Sequence, residues 1–333
     1  MGFTMSDSIK FSAALRLAQY DLLKSDELFT ILGQGVWSPF YVGSTLDGLE
    51  KEFGRNRVID TPVAENAVTA AALGAAIMGN PTLVIHPRMD FMILASDPLV
   101  NSAAKWRYSL NFQSPIPLTI RAIINRGGEQ GAQHSQALQS WYSHIPGLRV
   151  VMPSCPSDAY RLLVQSVKSP DPVLFIEDRW SYDTEEVFEP SLDLPPLSNE
   201  LPKVVLEGNQ ITLVASGYTV TVAKAISNIL GTHGVSAEVV DIRVLNPFDS
   251  TVILNSIKKT KNLAVIDGGW KSFGASAEII ATVSESGYRL LSPPMRFSIA
   301  SSPAPTSSQL EKLYYWDEKQ IAASILGKLD QSN

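Results

Sequence analysis

The chain has one cysteine, Cys155, among 333 residues. A single thiol rules out an internal disulfide and fits a reducing, cytoplasmic setting. Basic residues are in deficit, 27 against 33 acidic, and no run or stripe of Lys and Arg exists. Nucleic acid is therefore not an expected partner. No 18-residue apolar stretch occurs, so no membrane-spanning helix is expected. The opening "MGFTMSDSIK" lacks a long apolar segment behind basic residues, so no secretory leader is expected. Only 18% of residues are charged, against 45% hydrophobic. This balance predicts large buried surfaces, a subunit interface among them.

What is present is an alternation. Apolar runs at "LFTILG" (28–33), "RVIDTP" (57–62), "PTLVIH" (81–86), "IPLTIRAII" (116–124), "GLRVVMPS" (147–154) and "DPVLFIED" (171–178) read as strands. Between them, 8–24, the Ala-rich 64–79, 97–110 and 155–169 read as helices, with Pro98 near one start and Ser157 and Asp158 as caps of another. Residues 183–202 are acidic and proline-rich and read as a linker. The alternation then resumes to the C-terminus, with strands at 210–217, 236–249 and 262–269 and helices between and beyond. Such alternation predicts parallel sheets covered by helices in two doubly wound α/β domains. Chemistry is then to be sought at the strand ends.

Four residues or motifs invite a functional reading, and the residues alone leave alternatives open. Glu65 stands at the start of the Ala-rich helix. It is either a carboxylate complementing the helix dipole or a buried carboxylate holding a proton for a ligand. "NRGGEQGAQHSQ" (125–136) lacks the GxGxxG and GxxxxGK[ST] spacings, so a nucleotide cradle is not supported. His134 within it is either a surface-loop residue or a general acid or base at a strand end. His144, after "ALQSWYS", reads as structural. Cys155 has no basic neighbour and reads as an inert thiol. No metal-ligand cluster stands out.

Longer stretches carry a resemblance. "RVIDTPVAENAVTAAALGAAIMG", "NSAAKWRY", "GAQHSQALQSWYSHIPGLRVVMPSCPSDAYRLL" and "DPVLFIED" resemble the beta subunit of thiamine-diphosphate-dependent 2-oxoacid dehydrogenases, of the pyruvate, branched-chain and acetoin types. "DIRVLNPFDSTVILNSIKKTKNLAVIDGGWKSFGASAEIIATVSESGYRLLSPPMR" resembles that family's transketolase-type C-terminal domain. The resemblance implies a pyrimidine-binding domain at 1–185, a linker at 186–202 and a C-terminal domain at 203–333. It implies thiamine diphosphate and Mg²⁺, with the diphosphate and the metal held mainly by a separate alpha subunit. No Gly-Asp-Gly followed at a distance by Asn occurs here, in keeping with half a site. The implied partners are that alpha subunit in an alpha2beta2 heterotetramer with beta–beta self-association, and a lipoyl acyltransferase. The implied reaction decarboxylates a 2-oxoacid and passes the acyl group to a lipoyl acceptor.

Three residues take roles from the resemblance. Glu65 matches the glutamate that hydrogen-bonds a pyrimidine nitrogen and favours the imino tautomer. Phe91 matches the aromatic residue stacked on the aminopyrimidine. His134 matches the histidine facing substrate. The chain also departs from the pattern. Gln34, in "GQG" (33–35), replaces a carboxylate, and an amide cannot relay a proton as a carboxylate does. Leu94 stands where glutamine is common. "IHPRMDF" (85–91) brings His86 and Arg88 near the cofactor pocket, where Arg88 meets an anionic substrate or an interface carboxylate. These departures keep a second expectation in view, a split acyloin-forming or transketolase-like carboligase of specialised metabolism. The resemblance further implies a monovalent cation near Ser166, Ser169 and Asp171.

Overall fold

β-branched runs bounded by glycine and proline become strands, and the sheets they form are described by a computed structural model over residues 8–330. Residues 1–7, on which the leader expectation rests, lie outside that range. The chain divides into two units.

The first unit runs up to Arg126 and again from Trp141 to Glu200. Its sheet is built from β1 (Thr30–Gly33), β2 (Val58–Asp60), β3 (Thr82–His86), β4 (Leu118–Ile124), β5 (Arg149–Val151) and β6 (Val173–Asp178). Their order is β5-β6-β4-β3-β1-β2, and every pairing is parallel. Every residue of β3, β4 and β6 is buried, as expected of a parallel sheet covered on both faces. Helices α1 (Phe11–Ser25), α2 (Glu65–Ile77) and α3 (Pro156–Val167) cover it, and α1 packs on α3. Pro156 opens α3 at a position where a missing amide costs nothing. The helix expected at 97–110 is instead a π-helical stretch, Asp97–Ala103, running into an α-helical one, Ala104–Ser109. Pro98 supplies no amide to its first turn.

The proline-rich segment expected to be a linker is ordered along α3. Glu185–Glu186 pairs antiparallel with Ile9–Lys10. Arg161 donates to Glu200 at 2.9 Å, and Gln165 donates to the Pro195 carbonyl at 2.8 Å. Prolines fix φ in advance, so tying down this segment costs less chain entropy than a Gly/Ser linker would.

The second unit comprises Gly127–Ser140 and the chain from Leu201 onward. Strands β7 (Lys203–Leu206), β8 (Ile211–Ala215), β9 (Ala237–Asp241), β10 (Leu263–Trp270) and β11 (Met295–Ile299) form a sheet in the order β11-β10-β8-β9-β7. Only β7 is antiparallel to its neighbour. Helices α4 (Thr219–Thr232), α5 (Thr251–Thr260), α6 (Ala275–Glu285), α7 (Ser308–Tyr314) and α8 (Glu318–Asp330) surround it. Among the described residues no helix is long and apolar enough to cross a membrane.

Both units bury charge. In the first, the Arg121 and Glu177 side chains are fully buried and meet at 2.7 Å. Arg121 also donates to Gln19 and Thr45, at 3.0 and 3.2 Å. Arg126 meets Asp178 at 2.5 Å, again fully enclosed. Such pairs persist because each partner offsets the other's desolvation.

Candidate active site

The carboxyl ends of β1 and β3 make the site. A side chain at Gly33 would put its Cβ 2.8 Å from the Ile85 carbonyl, so glycine lets these two strand ends close together. Gly35 has φ +73 and lies against the Tyr41 ring, where a Cβ would clash at 2.8 Å. Gln34 is thus held between two positions that require glycine. Thr61 donates its amide to the Gly33 carbonyl at 3.0 Å and carries the chain round to α2. Residues 33–34, 61–62, 64–65, 68 and 85–86 line a narrow cleft.

Glu65 is the first residue of α2 and only 6% exposed. Its carboxylate makes no hydrogen bond or ion pair with any described residue. The Gln34 Oε1 is buried and likewise lacks a hydrogen-bond partner. Two unmatched acceptors therefore line one cleft. Buried acceptors are costly without a donor, so this arrangement suits a ligand that presents N–H groups.

His86 ends β3 and lines the same cleft, yet its Nε2 is engaged with Thr69 Oγ1 at 3.0 Å. Burial lowers its pKa from 6.5 to about 4, so it is neutral at pH 7. As a neutral, hydrogen-bonded core histidine it offers no charge to an anionic substrate. Arg88 is half-buried, and Nη1 donates to the Pro87 carbonyl at 2.8 Å. Burial lowers its pKa, and Tyr41, Arg179 and Asp90 contribute to its field. Phe91 (Met89–Met92 helix) and Leu94 are exposed, at 36% and 62%. Asn66 Nδ2 donates to the Leu94 carbonyl at 3.2 Å, which lays this stretch against the first turn of α2. Glu65, Gln34 and His86 are thus brought together, with Leu94 beside them.

His134 lies in the segment that belongs to the second unit. Its loop is anchored there. Glu129 accepts from the Ser308 amide at 3.1 Å, and Glu311 accepts from the Glu129 amide at 3.1 Å. Gly131, with φ +71, lies so close to Thr306 that a Cβ would meet it at 2.6 Å.

The expected cation site has its side chains already engaged. Asp171 accepts from both Arg107 and Arg149. Ser166 Oγ donates to the Leu162 carbonyl at 2.6 Å, and Ser169 Oγ accepts from the Asp171 amide at 3.1 Å. A cation here would draw on backbone oxygens. Tyr41 is the contributor that sequence reading missed. Burial raises its pKa, with Asp60 and Glu65 adding to the shift. Only its place six residues after Gly35 marks it, and that is no signal in one sequence. Cys155 is likewise held inert, burial pushing its thiol up to about 12.

Comparison with known proteins places the chain in a family. Residues 7–184 match the pyrimidine binding domain of transketolase, and residues 202–321 match the transketolase C-terminal domain. The chain is 34% identical to the beta subunit of an acetoin:2,6-dichlorophenolindophenol oxidoreductase from Bacillus subtilis, covering 98% of this chain and 97% of that one. It is 32% identical to a pyruvate dehydrogenase E1 component subunit beta from Rickettsia felis, covering 94% and 95%. The mitochondrial pyruvate dehydrogenase E1 beta subunit of Saccharomyces cerevisiae is also 32% identical, over 97% and 89%. In structure it is similar to a split-gene transketolase solved as an inactive beta4 tetramer, with TM-score 0.78, 19% identity and coverage of 98% and 99%.

Proposed function

Since the chain belongs to the transketolase-type family, with both its pyrimidine-binding and C-terminal domains, we propose that it is the beta subunit of a heteromeric thiamine-diphosphate-dependent 2-oxoacid dehydrogenase. An alpha subunit completes the enzyme as an alpha2beta2 heterotetramer and holds most of the diphosphate and Mg²⁺. A lipoyl acyltransferase takes the acyl product. The relatives' names favour this reading over the carboligase alternative.

The residues fit the cofactor's aminopyrimidine. That ring offers N–H donors from its amino group and, once protonated, from a ring nitrogen. The cleft holds two acceptors to meet them: Gln34 Oε1, buried without a partner, and Glu65, 6% exposed and unpaired among the described residues. This match is the observation that carries the proposal. When bound, thiamine diphosphate supplies the carbon nucleophile and electron sink needed to break the bond to a substrate carboxylate. Glu65 would hold a ring nitrogen of the aminopyrimidine, its carboxylate oxygen placed to give or take a proton there. Gln34 accepts a hydrogen bond and, as an amide, passes no proton onward. Phe91 would give the ring an aromatic face, with Leu94 placing an apolar side chain near the first turn of α2. Arg88 attracts the substrate carboxylate. His134 exchanges a proton with substrate at its ring nitrogen.

Calorimetric titration of thiamine diphosphate with Mg²⁺ tests this, first into the chain alone and then into its assembly with the alpha subunit. Binding in the assembly alone is expected. Tight binding by this chain alone would refute the division of labour, and no binding to a verified assembly would refute the cofactor assignment.

A further inference from the structure

The second unit carries a groove of about 410 Å³ along its edge strand β11. Its floor is apolar and aromatic, from Phe297, Ile299, Trp316 and Ile321. Its cations are Lys271, Arg296 and Lys312. None of the three has an acidic partner among the described residues. The one acid in the lining, Asp317, already accepts from the amides of Lys319 and Gln320 at 2.9 and 3.0 Å, capping α8. Arg296 is held in place by donating to the Lys271 carbonyl at 3.3 Å. Ser298 adds a buried Oγ without a hydrogen-bond partner. A net charge of −6 makes three unneutralised cations around one groove a local inversion of the protein's field.

We propose that this groove binds a small organic anion, one with a flat apolar body and a terminal phosphate or carboxylate. The size falls in the range of small-molecule sites, roughly 300–1,000 Å³. The cations take the anionic group, Ser298 supplies a hydroxyl, and the aromatic floor takes the body. A cation on an edge strand, as Arg296 is on β11, also guards against strand-to-strand aggregation, but that role requires neither an apolar floor, nor a buried hydroxyl, nor Lys271 and Lys312 beside it. The site is independent of the cleft at Glu65 and of the function proposed for it.

Ligand-observed NMR on the full chain, with 1-naphthyl phosphate as probe, is the test. Inorganic phosphate and 1-naphthol serve as half-probes. 1-Naphthyl phosphate should bind at least tenfold more tightly than either half. The double substitution Lys271→Gln with Lys312→Gln should weaken it at least tenfold while circular dichroism and melting stay unchanged. Arg296→Gln should do the same, so one variant that misfolds leaves the other informative. Absent binding, equal affinity for 1-naphthol, or an unchanged double variant would overturn the proposal. Tighter binding of hexaglutamate than of 1-naphthyl phosphate would overturn it in favour of an acidic peptide.

Discussion

In the second unit, Glu238 lies against Lys259, Asp241 faces Arg243, and Asp267 accepts amides from Gly269 and Ser276 at 3.0 and 2.8 Å. In the first, Glu177 and Asp178 are paired just as firmly, but Glu65 has no partner. Both units are helix-covered, mostly parallel α/β sheets, so architecture does not explain why Glu65 stands without a partner. A carboxylate shielded from water is a liability unless something answers it. Pairing marks the carboxylates that hold the fold. Glu50 is also buried without a partner, and what sets Glu65 apart is that it lines a cleft beside the unmatched Gln34 Oε1, where a ligand can answer both.

The sharpest test of that contrast is Glu65→Gln. Turnover of the assembled enzyme should fall at least about a hundredfold, the scale of general acid–base catalysis. Denaturant stability of this chain should not fall, since no protein partner is lost. A variant that keeps its rate but loses stability would break the comparison. At a paired site the outcome should reverse. Arg121→Met strands Glu177 in the core and should cost about 3–5 kcal/mol in urea denaturation. Adding Glu177→Leu should recover most of that loss, because an apolar pair leaves no charge uncompensated.

His86 gives a pH test of the cleft. Its pKa is 6.5 when unfolded and about 4 when folded, so between these values the unfolded chain binds the extra proton. Its contribution is full above pH 6.5 and is lost as pH falls towards 4. The stability difference between wild type and His86→Gln should therefore change by about 3 kcal/mol between pH 7 and pH 4. A pH-independent difference would show a histidine that titrates normally. The smallest effect is expected in the second unit. Asp267→Ala, removing a cap from α6, should lower stability by about 1–2 kcal/mol in the same denaturation assay.

Much of the fold was legible because β-branched runs and helical spacing are local signals. The strand expected at 28–33 begins at Thr30, since Asp26 accepts the Leu28 amide and turns the chain first. The ion pairs were not legible. Arg121 sits in "IPLTIRAII" and Glu177 in "DPVLFIED", and only sheet order places β4 beside β6. Glu65 stood out by its place at a helix start, but its lack of a partner depends on what the strand ends bring near it. His86 was expected near the cofactor pocket, and it lines the cleft. Its hydrogen bond to Thr69, 17 residues away on α2, depends on how α2 lies over β3. The loop at 127–140 sits within the first half of the sequence, and its contacts with Asp267, Thr306, Ser308 and Glu311, which no local signal foretells, tie it to the second unit.

The Arg121 cluster also sets an order of events during synthesis. Its members come from positions 19, 45, 121 and 177. A nascent chain that has emerged only as far as β4 holds a guanidinium whose counter-charge has not yet been translated. The first sheet therefore cannot close stably around Arg121 until β6 leaves the ribosome, and a product cut short before residue 173 would carry that charge into an apolar core with Gln19 and Thr45 but no counter-charge to meet it.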